Sequence, residues 1–82
     1  MPSILIAACD PYLAGIYGRK FELDGWSVVV AESLFEAQKI AAKFQPQIFL
    51  LDDECMVDLS KEVKRLKALP TLLRTKIVII GK

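Results

Sequence analysis

The residues with the clearest chemical potential are three consecutive acids, Asp52, Asp53 and Glu54, which directly follow the apolar run 48–51. An aspartate carboxylate can attack a phosphoryl group and form an acyl phosphate. Divalent cations that neutralise phosphate oxygens also prefer carboxylate ligands. The alternative is structural, with Asp52 capping the loop or keeping the end of a strand soluble. For the chemical role, we expect the Asp52 carboxylate to be solvent-accessible at the tip of a strand.

Composition excludes several classes of protein. The chain has 82 residues, of which 54% are hydrophobic, and the mean hydropathy is +0.38. These values describe a folded chain forming one domain or part of one, with boundaries 1–82, and they exclude a disordered segment. Histidine is absent, so the chain has no imidazole for general-base catalysis, phosphoryl relay or zinc binding. We also predict no catalytic residue and no enzymatic activity.

Charge, hydropathy and cysteine content bear on partners and location. Eleven basic and ten acidic residues leave a net charge of +1, which argues against direct nucleic-acid binding or membrane binding through bulk charge. The apolar runs are far shorter than the ~20 residues of a membrane span, and the N-terminus lacks the features of a signal peptide. Two cysteines, Cys9 and Cys55, do not make a disulfide framework. We expect a cytoplasmic protein in a reducing environment.

Apolar runs and helix-start signals alternate along the chain. Buried strands are predicted at 4–8, 28–31, 48–51 and 77–81, because these runs are short and do not alternate with polar residues. Helix starts are predicted at Asp10, before a proline, at Ser33, which has the capping-box spacing to Glu36, and at Asp58. The order βαβαβαβ predicts a three-layer α/β fold with a parallel sheet and right-handed crossovers.

Side-chain patterns within the predicted helices indicate which faces are buried. In the first helix the apolar residues at helical spacing are Leu13, Ile16, Tyr17 and Phe21, and Tyr12 is expected near the same face. Close packing against the sheet would account for Gly15 and Gly18, which weaken a helix. In the third helix the predicted solvated face consists of Lys61, Lys64, Arg65 and Lys67. A less favoured alternative is that this basic cluster contacts a partner or nucleic acid.

In an open parallel sheet, functional residues collect at the carboxyl ends of the strands. The residues predicted there are Ala8, Cys9 and Asp10 after the first strand, 52–54 after the third, and Gly81 after the fourth. The absence of a glycine-rich loop after the first strand makes a small-ligand module the least favoured alternative. Cys9 and Cys55 both fall near strand ends, so a redox pair is conceivable. The more common case is that intracellular cysteines are small core residues.

Three segments resemble the receiver domain of two-component response regulators. Residues 4–11 are similar to the family's first strand and acidic turn, 46–52 to the segment that ends in the phosphoaccepting aspartate, and 76–81 to its fourth strand. The resemblance implies a flavodoxin-like sheet with strand order 2-1-3-4-5. It also implies that Asp52 accepts a phosphoryl group from a histidine kinase, and that an output domain or partner protein reads the modified surface.

The same resemblance identifies departures from the family pattern. Ala8 and Cys9 occupy the positions of the paired acids that hold magnesium, which leaves Asp52, with Asp10, for weak Mg²⁺ binding. Glu54 falls at the position that modulates dephosphorylation, and Gly81 at that of the switch Ser or Thr. The chain ends before the family's fifth strand and its phosphate-binding lysine. These departures describe a truncated and degenerate receiver.

Two functions follow as expectations. The first is a phosphorelay receiver module modified at Asp52. The alternative is a non-phosphorylated pseudo-receiver that acts as a protein-interaction and dimerisation module. One feature supports this alternative function. The implied sheet order places the fourth strand at an edge, as an exposed apolar strand. Pairing of this strand with a second copy would produce a homo-oligomer.

Overall fold

The structure is a computed structural model that describes residues 2–52, 59–70 and 74–80, without the side chains of 59, 60, 62 and 63. Four strands alternate with three helices, as the apolar pattern predicted. Their bounds are β1 Ser3–Ala7, α1 Pro11–Leu23, β2 Ser27–Ala31, α2 Leu34–Phe44, β3 Ile48–Asp52, α3 Leu59–Lys67 and β4 Lys76–Ile80.

The four strands form one parallel sheet with the order β2-β1-β3-β4. The predicted α/β fold class is therefore confirmed. The inner strands, β1 and β3, are buried over four of their five residues, because helices can cover both faces of a parallel sheet. The first residue of β4, Lys76, is exposed, and its four apolar residues are all only partly covered.

Side chains on the two faces of the sheet form separate cores. On one face, the inner strands contribute Leu5, Ala7, Phe49 and Leu51, which pack with Ala37 and Ala41 of α2 and Leu66 of α3. On the other face, they contribute Ile4, Ile6 and Leu50, which pack with Ala8 and with Ala14 of α1. Burial of these apolar side chains contributes roughly 1.5–3 kcal/mol for each large residue. The three-layer arrangement therefore follows from strands that are apolar on both sides.

Capping residues determine where the helices begin. The Asp10 carboxylate accepts a hydrogen bond from the Tyr12 backbone N–H at 2.9 Å, and Pro11 takes the first position of α1. The Ser33 hydroxyl accepts from the Glu36 backbone N–H at 3.1 Å. Both predicted starts are confirmed. The predicted cap at Asp58 lies outside the described residues.

The face that α1 turns to the sheet matches the predicted one only in part, since Tyr17 and Phe21 pack against the core as expected. Its buried residues are Ala14 and Gly18, whereas Tyr12 and Ile16 are 75% and 48% exposed. The prediction that these two side chains belong to the core was wrong. Small residues bring the helix axis close to β2, since a Cβ atom added at Gly18 would lie 3.6 Å from both Val28 and Val30. Tyr12 and Ile16 lie away from this close contact, on the outer face of the helix.

The remaining glycines differ in what their backbones require. Gly15 is exposed in the interior of α1 and has open space where a Cβ atom would lie, so the close-packing explanation fails for it. Gly25 follows α1 with a φ of 89°. Side chains of L-residues are disfavoured in that conformation.

We expect opposite effects from alanine at these two glycines. Gly15→Ala should raise the free energy of unfolding by about 1 kcal/mol, because alanine loses less backbone entropy in a helix. Gly25→Ala should lower it by about 1 kcal/mol, because alanine is strained at positive φ. Urea denaturation of both variants beside the parent, at one fixed redox condition, measures the two effects. Equal effects would contradict the conformations described here.

Candidate functional site

The candidate site lies where β1 and β3 end side by side. In the register of these strands, Ala7 pairs with Leu51, which places Ala8 level with Asp52. On the other side of β3, Asp52 pairs with Ile80 of β4. Asp52 is therefore flanked by two apolar residues, Ala8 just after β1 and Ile80 of β4. The carboxyl ends of parallel strands lie at the same edge of the sheet, so these residues come together although they are far apart in sequence.

Asp52 is buried. It is the last residue of β3, not the first residue of the following loop, and only 5% of its surface is exposed. The expectation of a solvent-accessible carboxylate was therefore wrong. Asp52 still pairs in the sheet, with Ile80 of β4, and does not lie in the loop beyond the strand. No other polar residue is buried in the part of the chain that the structure describes.

Asp10, the second predicted metal ligand, acts as a helix cap. Its carboxylate oxygen Oδ1 accepts the Tyr12 backbone N–H, and the residue is exposed in the turn between β1 and α1. A carboxylate engaged with a helix N-terminus is stabilised there by the free N–H groups of the first turn. The capping role predicted from the sequence is confirmed, and the metal role stays a prediction.

Ala8 and Cys9 fill the space where the resemblance places acids. Ala8 is buried in the core on the α1 side of the sheet, so the position level with Asp52 carries a methyl group. Cys9 is exposed and disulfide-bonded. The expectation that the cysteines are small core residues was therefore wrong for Cys9. Cys55 is the only other cysteine in the sequence, and it lies outside the described residues.

The described residues do not fit a strong divalent-cation site. Within residues 2–52, 59–70 and 74–80, no group of three or more His, Cys, Asp or Glu side chains is placed to hold a metal ion. Magnesium bound by few carboxylates keeps most of its water and dissociates readily. The other predicted site residues, Glu54 and Gly81, lie outside the described residues, as does Asp53.

A cavity of about 550 Å³ opens beside Cys9, on the side of the site formed by β1, β2 and α1. Its lining is mostly apolar and includes Ala8, Pro11, Ala14 and Val30, and Glu32 is the charged residue among the described ones that line it. Sequence reasoning missed Glu32. The signal was available, since Glu32 follows β2 directly, just as Asp52 closes β3. Asp52 does not line this cavity.

Two further expectations concern the surface. The residues Lys61, Lys64, Arg65 and Lys67 of α3 are all exposed, which confirms the predicted solvated face. None of the helices in the described ranges combines the length and the apolar character needed to cross a bilayer.

Comparisons with known proteins identify solved structures that have the same fold as this chain. No family model matches the sequence, and no curated protein matches it. Solved structures do match. Chemotaxis response regulator CheY4 of Vibrio cholerae superposes with a TM-score of 0.85 at 20% identity, over 96% of this chain and 67% of that one. The signal receiver domain of a modulated diguanylate cyclase from Desulfovibrio desulfuricans superposes with a TM-score of 0.83 at 25% identity, over 100% of this chain and 66% of that one.

A third matching structure contains a phosphorylated aspartic acid. A response regulator protein from Burkholderia pseudomallei, with a phosphorylated aspartic acid, calcium ion and citrate, superposes with a TM-score of 0.80 at 19% identity. The match covers 99% of this chain and 47% of that one. Together these structures show that the chain has the fold of the response regulator receiver domain, and the resemblance seen in the sequence is confirmed at the level of the fold. The chain spans about two thirds of the first structures named and about half of the last.

Substitutions at Asp10 separate capping from metal binding. Asp10→Ala should lower the free energy of unfolding by about 1 kcal/mol, because the Tyr12 N–H loses its acceptor. Asp10→Asn should be nearly neutral, because the amide oxygen can accept the same hydrogen bond. Urea denaturation measures both variants, and a magnesium titration followed by NMR compares Asp10→Asn with the parent. Weakened magnesium binding with unchanged stability would assign Asp10 a ligand role in addition to its cap.

Proposed function

We propose that this chain is a signal-transduction receiver module, formed by residues 1–82, which accepts a phosphoryl group on Asp52 from a histidine kinase in the cytoplasm. The observation that carries the proposal is the placement of Asp52. It closes a central strand of a receiver fold, at the edge of the sheet where open α/β folds hold their ligands. In the Burkholderia protein, which has the same fold, an aspartic acid is phosphorylated.

The proposed chemistry is a single transfer. A carboxylate oxygen of Asp52 attacks phosphorus, a P–O bond forms to give an acyl phosphate, and the P–N bond to the kinase histidine breaks with its electron pair leaving on nitrogen. The chain is consumed once for each phosphoryl group, so the role includes no turnover of a substrate. The modification would then shift a surface that an output domain or partner protein recognises.

The donor set supports only weak assistance by magnesium. We propose Asp52 and Asp10 as the weak ligands. No second carboxylate lies beside Asp52 at the end of β1, because the buried residue there is Ala8. Without paired acids, the negative charge that develops on the phosphoryl oxygens has less compensation. We therefore expect slower transfer than in receivers that have both acids. Glu54 as the modulating position and Gly81 as the degenerate switch position remain part of the proposal.

Phosphorylation by a small donor tests this function. Incubation with acetyl phosphate and Mg²⁺ should add the mass of one phosphoryl group, slowly and incompletely, because the carboxylate is buried and the metal site is weak. Asp52→Asn should abolish the gain, because an amide cannot form the acyl phosphate. Asp24→Asn is the matched control, since Asp24 is exposed after α1, and it should retain the gain. Intact-mass spectrometry under reducing and non-reducing conditions gives the result. A gain that persists in Asp52→Asn contradicts the assignment.

A second candidate function is a non-phosphorylated pseudo-receiver that forms homo-oligomers through β4. One specific observation favours it. In the described part of the chain β4 pairs on one side only, with β3, and Ile79 is 39% exposed. An apolar edge strand with unpaired backbone groups is a template for a further strand. Antiparallel pairing of two β4 strands across a two-fold axis would satisfy both edges and join the sheets.

Sedimentation velocity at micromolar concentration tests the second function. The parent chain should sediment as a dimer, and Ile79→Lys should sediment as a monomer, because a charge at this position opposes edge-to-edge pairing. Val30→Lys is the matched control, since Val30 lies on the opposite edge strand β2 and is 40% exposed. It should leave the dimer intact. A compact parent monomer would exclude this mode of association.

A further inference from the structure

We propose that the cavity beside the start of α1 is a binding site for a small organic cation, an apolar molecule that carries one positively charged amine. The cavity has a volume of about 550 Å³, within the range of roughly 300–1,000 Å³ that is usual for ligand pockets. Asp52 does not line it. The inference therefore goes beyond the receiver function and can be tested whether or not Asp52 accepts a phosphoryl group.

The first observation is where α1 contacts β2 and where it does not. At Gly18 the helix lies against the strand, since an added Cβ atom would be 3.6 Å from the side chains of Val28 and Val30. About one turn earlier, at Gly15, an added Cβ atom would have no neighbour within 4 Å. The space beside the helix is therefore closed at Gly18 and open at Gly15, which lines the cavity together with Val30.

The second observation is that packing gives no reason for a glycine at position 15. Glycine in the interior of a helix is unfavourable relative to alanine, and no close contact with another element requires it here. Gly15 nevertheless forms part of the cavity lining, so a longer side chain would take up part of the free volume. Room for a ligand accounts for Gly15, as close packing against β2 accounts for Gly18.

The third observation is the chemistry of the walls. The apolar residues of the described lining include Ala8, Pro11, Ala14 and Val30. Val30 is 40% exposed although it belongs to a strand of the sheet. Apolar walls with a few polar groups are typical of small-molecule sites, in which the polar groups fix the orientation of the ligand. The apolar body of a ligand would cover Val30 and remove its side chain from water.

The sign of the ligand charge follows from the groups around the cavity. Glu32 lines it, and no lysine or arginine does so among the residues that the structure describes. Free N–H groups at the start of α1 would favour an anion. However, the Asp10 carboxylate already accepts the Tyr12 N–H, and Pro11 has no N–H to donate. A positive group on the ligand therefore complements Glu32, whereas an anion would be repelled.

Titrations followed by heteronuclear NMR test the site, with benzylammonium as the probe and benzyl alcohol as its uncharged analogue. The unreduced full chain is used, so that the disulfide at Cys9 stays intact. Benzylammonium should shift the amide signals of Gly15 and Val30 in a saturable manner. It should bind about threefold more tightly than benzyl alcohol, as expected for an exposed ion pair. High salt should reduce this preference, because it screens the attraction.

Two variants separate the walls from the charge. Gly15→Leu should abolish binding of both probes, because the leucine side chain occupies the cavity, and its higher helix propensity keeps the variant folded. Glu32→Gln should lower the affinity for benzylammonium to that for benzyl alcohol, because the ion pair is lost. Glu22→Gln is the matched control, since Glu22 is an exposed acid of α1 that does not line the cavity. It should retain the preference for benzylammonium.

The outcomes distinguish the site from the receiver function. The absence of saturable shifts at Gly15 and Val30, or unchanged binding by Gly15→Leu, overturns the proposal that the cavity is the site. Equal affinity for the two probes, a preference that survives Glu32→Gln, or tighter binding of benzoate rejects a cationic ligand. None of these measurements involves a phosphoryl donor, so failure of phosphorylation at Asp52 leaves the proposed site unaffected.

Discussion

The parallel pairing of β1 with β3 is the constraint on which the rest of the structure depends. It sets Ala7 opposite Leu51 and thereby brings the turn that contains Cys9 and Asp10 to the end of the strand that Asp52 closes. A shift of one residue in this register would turn the apolar side chains of β1 to the opposite face. Because both faces of β1 and β3 are packed by helices, such a shift would disrupt two cores at once, and the geometry of the site is held by the same packing.

The packing also explains the identity of the residues beside the carboxylate. Ala8 belongs to the core on the α1 side of the sheet, where its methyl group is covered by the close approach of α1. A carboxylate at that position would need hydrogen bonds or a cation to offset its burial. With alanine there, the side chain packs through apolar contacts alone and places no charge beside Asp52.

The position of Asp52 and its burial have opposite consequences for the proposed phosphoryl transfer. Its place at the end of a central strand of a receiver fold supports the phosphoryl transfer proposed above, whereas its burial would slow that proposed transfer. The edge strand β4 is a separate feature, with partly covered apolar residues, and its capacity for pairing does not depend on the chemistry of Asp52.

The sequence by itself determined the order of the elements, the capped starts of α1 and α2 at Asp10 and Ser33, and the place of Asp52 at the end of β3. These features depend on local hydrogen bonds and on runs of apolar residues, so neighbouring residues suffice to predict them. Only the tertiary structure decided the burial of Asp52, the outward face of Tyr12 and Ile16, and the disulfide at Cys9. Each depends on residues that are distant in the chain: Ala8 and Ile80 flank Asp52, and small side chains draw α1 onto β2. The periodicity of a single helix or strand carries no information about what the neighbouring element presents to it.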